Sequence, residues 1–361
     1  MPDLNELLRQ LVDDGGSDLH LRVGEPPVFR IHGSLIRTAH PKLLPEDTEA
    51  LVFGILNADR RDAFGKRLEL DISYATDFAR FRVNVFRQQE HIGAVMRVIP
   101  FSIKTLDDLK APPVVKDLSL RPRGLFLVTG PTGSGKSTTL AAIIDHINTH
   151  KHCNVVTVED PIEFIHEDKL SAINQREVGE DTHSFSAALK HVMRQNPDVI
   201  LVGEMRDLET IQLAVTAAET GHLVFSTLHT TDAAQTIDRI VDVFPPEQQR
   251  QIRTQLAVTL LGVLSQTLLP RADTVGRIAA FEVLVATPAI RSLIRDGKTH
   301  QMGTDIQTGG QFGMESLDHS LLDLVKNKVV KYEDALAKSS NAREFEQRAA
   351  PYRGQTPAGI M

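Results

Sequence analysis

The chain has 361 residues, enough for two or three domains with separate cores. Its 41% hydrophobic and 24% charged residues are those of an ordinary globular protein, and a net charge of −7 argues against a broad nucleic-acid-binding surface. The single cysteine, Cys153, excludes internal disulfides and any multi-cysteine zinc site, and it fits a reducing compartment.

The first hundred residues read as a small α/β domain (1–100). Leu4, Leu7, Leu8, Leu11 and Val12 form a helical stripe that stops at Gly15-Gly16. Strands are expected at 18–23 and 28–32, separated by Gly24-Glu25-Pro26-Pro27, then a helix over 46–56. Further strands are expected at 68–74, 80–86 and 92–98. Pro100 and residues 105–113 mark a linker, taken as 101–113. From residue 114 to 270, apolar strands alternate with longer helices, the pattern of a parallel sheet covered on both faces. The strands are 125–129, 154–158, 199–202 and 223–227. After Phe244-Pro245-Pro246 the chain reads as mainly helical up to about 345, apart from a strand at 277–285. Beyond about 342 it turns polar, and the end (346–361) is expected to be a mobile tail. No segment approaches the roughly 18 uninterrupted apolar residues of a membrane span, and the first residues lack the pattern of a signal peptide. The expected location is cytoplasmic.

Gly130-Pro131-Thr132-Gly133-Ser134-Gly135-Lys136-Ser137 fills the pattern G-x-x-x-x-G-K-[ST] between an apolar strand and an apolar helix. Glycines let the backbone wrap a polyphosphate, so that main-chain N–H groups and the helix N-terminus face its charge. Lys136 should reach the β- and γ-phosphates, the Ser137 hydroxyl should ligate Mg²⁺, and Thr138 follows within the ATP-binding segment. ATP and Mg²⁺ are the implied cofactors.

Such an enzyme also needs an acidic group near the metal and a group that handles the attacking water. Val199-Ile200-Leu201-Val202-Gly203-Glu204 runs an apolar strand into a carboxylate, although the commoner pattern places an aspartate directly after the apolar run. Val155-Val156-Thr157-Val158-Glu159-Asp160-Pro161-Ile162-Glu163 ends another strand in three acids. Asp160 precedes a proline and shapes the turn, which leaves Glu159 and Glu163 as chemical groups. His222 and His229 bracket a strand. His229, at its carboxyl end, can sense a γ-phosphate, whereas His222 at the other end reads as structural. Their spacing does not suit zinc. In Arg80-Phe81-Arg82-Val83-Asn84-Val85 the apolar residues face a core and leave Arg80, Arg82 and Asn84 on the other face, with Arg87 and Arg97 nearby. That face is either solvated surface or a source of arginines for a phosphate across a domain or subunit boundary.

Together these segments resemble the secretion-type hexameric ATPases, and most closely the PilT-type ATPases that power type IV pilus retraction. The resemblance runs from Ser17-Asp18-Leu19-His20-Leu21 to Gly313-Met314-Glu315-Ser316-Leu317-Asp318. It rests on a Walker A loop at 130–137, an "Asp box" at 157–164, a Walker B strand at 200–204 and a "His box" at 221–231. It implies a PAS-like N-terminal domain and a RecA-like P-loop domain with a helical C-terminal region, assembled as a homo-hexamer. Glu163 is then the general base, Glu204 the carboxylate acting on Mg²⁺ through water, and His229 the γ-phosphate sensor. Glu159 and His222 have supporting places. Arg82 and Arg97 are the candidate arginines acting in trans.

Ala289-Ile290-Arg291-Ser292-Leu293-Ile294-Arg295-Asp296-Gly297-Lys298 is by itself an amphipathic helix with a glycine stop. It also matches the "AIRNLIRE" motif of PilT-type proteins, needed for retraction, with departures at Ser292 and Asp296. The implied partners are the inner-membrane platform protein of the pilus machine and an accessory retraction ATPase. Nucleic acid is not an expected partner. The alternatives are an accessory retraction or other secretion ATPase, and a nucleotide-gated scaffold that hydrolyses ATP negligibly and regulates a partner motor. A nucleic-acid translocase on the same fold is disfavoured by the acidic balance.

Overall fold

The protein is described by a computed structural model covering residues 3–31, 33–99 and 103–354. The end of the expected strand 28–32, the start of the linker and residues 355–361 of the expected tail lie outside the described residues. The chain forms two compact units, Met1–Ser102 with Pro161–Ile165, and Ile103–Asp160 with His166–Met361.

In the first unit, helix α1 (Leu4–Asp13) buries Leu4, Leu7, Leu8 and Leu11, and Asp3 caps it by accepting from the N–H groups of Asn5 and Glu6. Then come β1 (Gly16–Leu21), β2 (Val28–Ile31), β3 (Ser34–Arg37), helices α2 (Pro45–Phe53) and α3 (Ala58–Arg67), β4 (Glu69–Ala75), β5 (Arg80–Gln88) and β6 (His91–Ile99). The strands pair antiparallel in the order β3-β2-β1-β6-β5-β4. Phe81, Val83 and Val85 of β5 enter the core with Leu19, Phe29 and Phe64, while Arg82 is exposed on the opposite face. Strand β3 and helix α3 escape a reading by period. Every residue of β3 is exposed, and Phe64 is the one buried residue of α3.

The second unit contains α4 (Val114–Ser119), β7 (Gly124–Thr129), α5 (Lys136–His150), β8 (Asn154–Glu159), β9 (Ala172–Glu177), α6 (Phe185–Val192), β10 (Val199–Val202), α7 (Leu208–Glu219), β11 (Leu223–Leu228), α8 (Ala233–Asp242) and α9 (Pro246–Thr259). It continues with β12 (Leu260–Pro270), β13 (Arg277–Val285), α10 (Pro288–Asp296), α11 (Met302–Thr308), α12 (Leu317–Lys326), α13 (Tyr332–Leu336) and α14 (Ala342–Ala349). The sheet order is β13-β12-β7-β11-β10-β8-β9. All neighbours run parallel except β12 and β13. Strands β7, β10 and β11 are buried at every residue, as strands covered on both faces must be. One face packs Ala214, Ile237, Leu256 and Ile290, and the other packs Leu118, Ile143 and Ile147.

Two expectations are corrected. The region after Pro246 is not helical apart from one strand, because Leu260–Pro270 forms the eleven-residue strand β12 between β7 and β13. Buried on both faces, it has no alternation, and its apolar run reads equally as a buried helix. The start of the expected tail is helix α14, whose Phe345 and Ala349 pack in a small core with Leu321, Val325 and Tyr332.

Candidate active site

The carboxyl ends of the parallel strands supply most of the expected site residues, where ligands of such sheets bind. Strand β7 leads into Gly130, whose φ is 143°. A Cβ there would lie 2.2 Å from the Gln266 carbonyl oxygen and 2.6 Å from Ser134 Oγ, so only glycine permits this close turn. Gly135 opens α5, and no side chain caps the helix, which leaves its first N–H groups directed at the loop. The Ser134 hydroxyl is buried with no hydrogen-bond partner among the described residues. Lys136 Nζ donates to the carbonyls of Gly130 (2.8 Å) and Pro131 (3.2 Å), folding its ammonium back over the loop. This cradle of backbone and helix N-terminus fits a polyphosphate. Ser137, the second residue of α5, offers the hydroxyl such sites use for Mg²⁺.

Gln266, on β12, was not expected here. Its side-chain amide donates to the Ser134 carbonyl at 2.7 Å, tying the loop to the neighbouring strand. The contact joins residues 132 positions apart, and no local pattern announces it.

Strand β10 ends at Val202, and Gly203 after it accepts from Thr227 Oγ1 (2.6 Å) and donates to the Val158 carbonyl (2.8 Å). A Cβ at Gly203 would meet Val158 O at 3.2 Å and Glu159 Cα at 3.3 Å, so the glycine lets β10 and β8 end side by side. Glu204 follows, largely buried. Its Oε1 accepts from Arg206 Nε at 2.5 Å and lies 3.0 Å from His229 Nε2. The carboxylate beside it holds the Arg206 pKa above the usual guanidinium value. Glu204, Arg206, His229, Thr230 and Arg239 line a cavity of about 330 Å³. A hydroxyl and a carboxylate are hard oxygen donors of the kind Mg²⁺ takes.

Glu159, at the end of β8, accepts from Thr157 Oγ1 (2.7 Å) and from the Gln175 amide (3.2 Å). Glu163 is half-buried in Pro161–Ile165, the segment that belongs to the first unit. His222 lies at the opposite end of β11, where its Nδ1 is 3.0 Å from the Ala217 carbonyl. Its own carbonyl accepts from Gly124 N at 3.0 Å, so it bridges the α7–β11 turn and the start of β7. In the first unit, Arg82 and Arg97 are cross-strand partners on β5 and β6. Arg97 Nε donates to the buried carboxylate of Asp18 at 2.8 Å, while its side chain stays 68% exposed. Burial alone would raise the Asp18 pKa, but the Ser17 hydroxyl and Arg97 together hold it below the usual carboxylate value.

The segment 289–298 forms α10, capped by Thr287 at one end and by Gly297, at φ 68°, at the other. Ile290 and Ile294 are buried, and Arg295 and Asp296 are exposed. Arg291 points inward. Its guanidinium donates to the carbonyls of Ala286 (2.9 Å), Ala257 (2.5 Å), Val258 (2.6 Å) and Leu260 (2.9 Å), closing the carboxyl end of α9. Burial lowers its pKa from the ordinary guanidinium value.

The family model described as "Type II/IV secretion system protein" matches residues 1–316. The chain is 51% identical to the type IV pilus retraction ATPase PilT of Pseudomonas aeruginosa over 95% of this chain and 100% of that one. It is 40% identical to the type IV pilus ATPase PilU of the same organism, over 95% of this chain and 90% of that one. A crystal structure of the pilus retraction motor PilT with bound ADP matches with a TM-score of 0.90 and 44% identity, covering 96% of this chain and 100% of that one.

Proposed function

The chain belongs to the type II/IV secretion system protein family, and from that premise we propose that it hydrolyses ATP in a six-membered ring that drives type IV pilus retraction. The observation that carries this reading is the glycine cradle at the start of α5, with Glu204 and His229 at the same edge of the sheet. The whole-length likeness to a retraction ATPase supports the mechanical part.

In this reading Lys136 and the main-chain N–H groups of Gly130 and residues 132–138 hold the phosphates of ATP. Ser137 and Glu204 are the residues that would hold Mg²⁺. Bound there, Mg²⁺ supplies neutralisation of phosphate charge. Glu163 takes a proton from the attacking water as the new oxygen–phosphorus bond forms and the bond to the bridging oxygen breaks, leaving ADP and phosphate. His229 gives up its contact with Glu204 to donate to the γ-phosphate. Glu159 and His222 hold the ends of β8 and β11. Arg82 and Arg97, on an exposed sheet face, approach the nucleotide of a neighbouring subunit and stabilise the charge that develops in hydrolysis. The ring works in the cytoplasm against the platform protein of the pilus machine, alongside an accessory retraction ATPase.

The test is Mg²⁺-dependent ATP turnover against protein concentration, with oligomer size followed by light scattering. Turnover per subunit rises with ring formation. Glu163→Gln lowers it by about 10²–10⁴, the usual contribution of a general base, while nucleotide affinity holds. Background turnover by an assembled wild-type ring would overturn the reading.

A further inference from the structure

Glu282, on β13, is a buried carboxylate outside the expected site. Its Oε1 accepts from the N–H of Ala233, the first residue of α8, at 2.8 Å. Across the sheet it pairs with Ser265 of β12, whose hydroxyl accepts from Thr129 Oγ1 (2.9 Å) at the end of β7. Glu282 therefore connects the strand that launches the phosphate loop with the start of α8.

Only His229, Thr230, Thr231 and Asp232 separate the end of β11 from Ala233. One end of this stretch is set by β11, in register with β7 up to Leu228 and Thr129. The other end is set at Ala233, which is fully buried. The link between these two anchors is four residues long, so where Ala233 is held bounds where His229 can sit. We infer that Glu282 is the positioning residue of the His229 segment, securing the start of α8 while its carboxyl is protonated and loosening it on ionisation. The effect on turnover rests on the ATPase reading above; the effect on the segment does not.

The charges around the carboxyl decide the direction. Asp232, the N-cap of α8, and Asp318, in the first turn of α12, are the negative charges that act on it through space. Ser265, on the β12 side, is neutral. The α8 N-terminus favours the anion through the Ala233 N–H. Burial outweighs that and, reinforced by the two aspartates, pushes the Glu282 pKa up to about 7. A closed arrangement that binds the proton more tightly than an opened, solvated one must open more readily as the proton leaves. With the carboxyl at about 7 when closed and 4.5 when open, the opening equilibrium rises about tenfold between pH 6 and pH 8.

Hydrogen exchange of the peptide spanning 228–236, in the full-length protein and corrected for intrinsic rates, reads this directly. The wild type should show the tenfold rise. Glu282→Gln keeps the acceptor but cannot ionise, and should stay flat at the slow, low-pH level. Glu282→Ala removes the acceptor and should exchange fast at every pH. In Mg²⁺-ATP turnover, kcat of the wild type should fall relative to Glu282→Gln above pH 7 with KM unchanged. A flat wild-type profile, or one shared by Glu282→Gln, overturns the inference. Absence of turnover in every variant would sink the ATPase reading and leave the exchange result to decide this one.

Discussion

Replacing Arg291 by methionine keeps much of the side chain's length and removes the fork that closes α9. The carbonyls of Ala257, Leu260 and Ala286 belong to residues that are 1%, 0% and 8% exposed, so none recovers a full water partner. Val258 is 64% exposed, and its carbonyl is solvated at little cost. Hydrogen bonds to a charged donor contribute about 1.5–3 kcal/mol each, so the three sheltered acceptors account for at most roughly 4.5–9 kcal/mol. Partial water entry reduces this, and the expected loss for Arg291→Met is about 2–4 kcal/mol. Arg291→Lys supplies one compact ammonium in place of a planar fork and should recover less than half. The chain has no tryptophan, so urea unfolding is best followed by far-ultraviolet circular dichroism, at one protein concentration because assembly shifts the midpoint. A methionine variant within about 0.5 kcal/mol of wild type, the range of ordinary surface changes, would refute the argument. So would a lysine variant indistinguishable from arginine.

Gly130→Ala places a methyl 2.2 Å from the Gln266 carbonyl, and the loop must shift to relieve it. Nucleotide affinity, measured by titration calorimetry, should fall at least tenfold, while a loop that tolerates the methyl would bind as before. Asp18→Asn strips the carboxylate from Arg97 and Arg30, which lie 2.8 and 3.5 Å from it. If Arg97 acts in trans as proposed, turnover by the assembled ring should drop while nucleotide affinity stays, and unchanged turnover would argue for a purely local ion pair. His166 is half-buried, and desolvation of its ring pushes its pKa down to about 4 from an ordinary 6.5. The unfolded chain then takes up a proton that the folded one resists, so stability falls as pH drops from 6.5 towards 4, by up to about 3 kcal/mol. His166→Phe keeps a ring and cannot titrate, so its acid unfolding curve should lose that part of the slope; a slope equal to wild type would show the group is not responsible.

The features legible in the sequence were those whose physics is local. A glycine-rich turn between apolar segments is recognisable because each glycine answers a nearby backbone demand, and the alternation of β5 is visible because one face is wet. Strand β12 was hidden for the opposite reason, since sheet neighbours and helices cover it on every side. Helix α14 looks polar because only Phe345 and Ala349 of its eight residues are buried. Gln266, Glu282 and Arg291 act on partners far along the chain, through distances that no spacing rule contains. Glu204 is legible although it departs from the commoner pattern, and the structure supplies the reason for the glycine before it. A side chain at 203 would crowd the end of β8, where Val158 O and Glu159 Cα lie 3.2 and 3.3 Å from the added Cβ.

The posture of Lys136 changes how a familiar experiment reads. Its ammonium braces the carbonyls of Gly130 and Pro131, so the loop leans on the same group that is meant to greet the phosphates. Truncating it to alanine would take away a hand for the nucleotide and a strut for the loop in one stroke. A dead Lys136→Ala protein would therefore be a poor measure of what the lysine does for phosphate alone, and a crystal of that variant would be expected to show a rearranged turn as well as a missing charge.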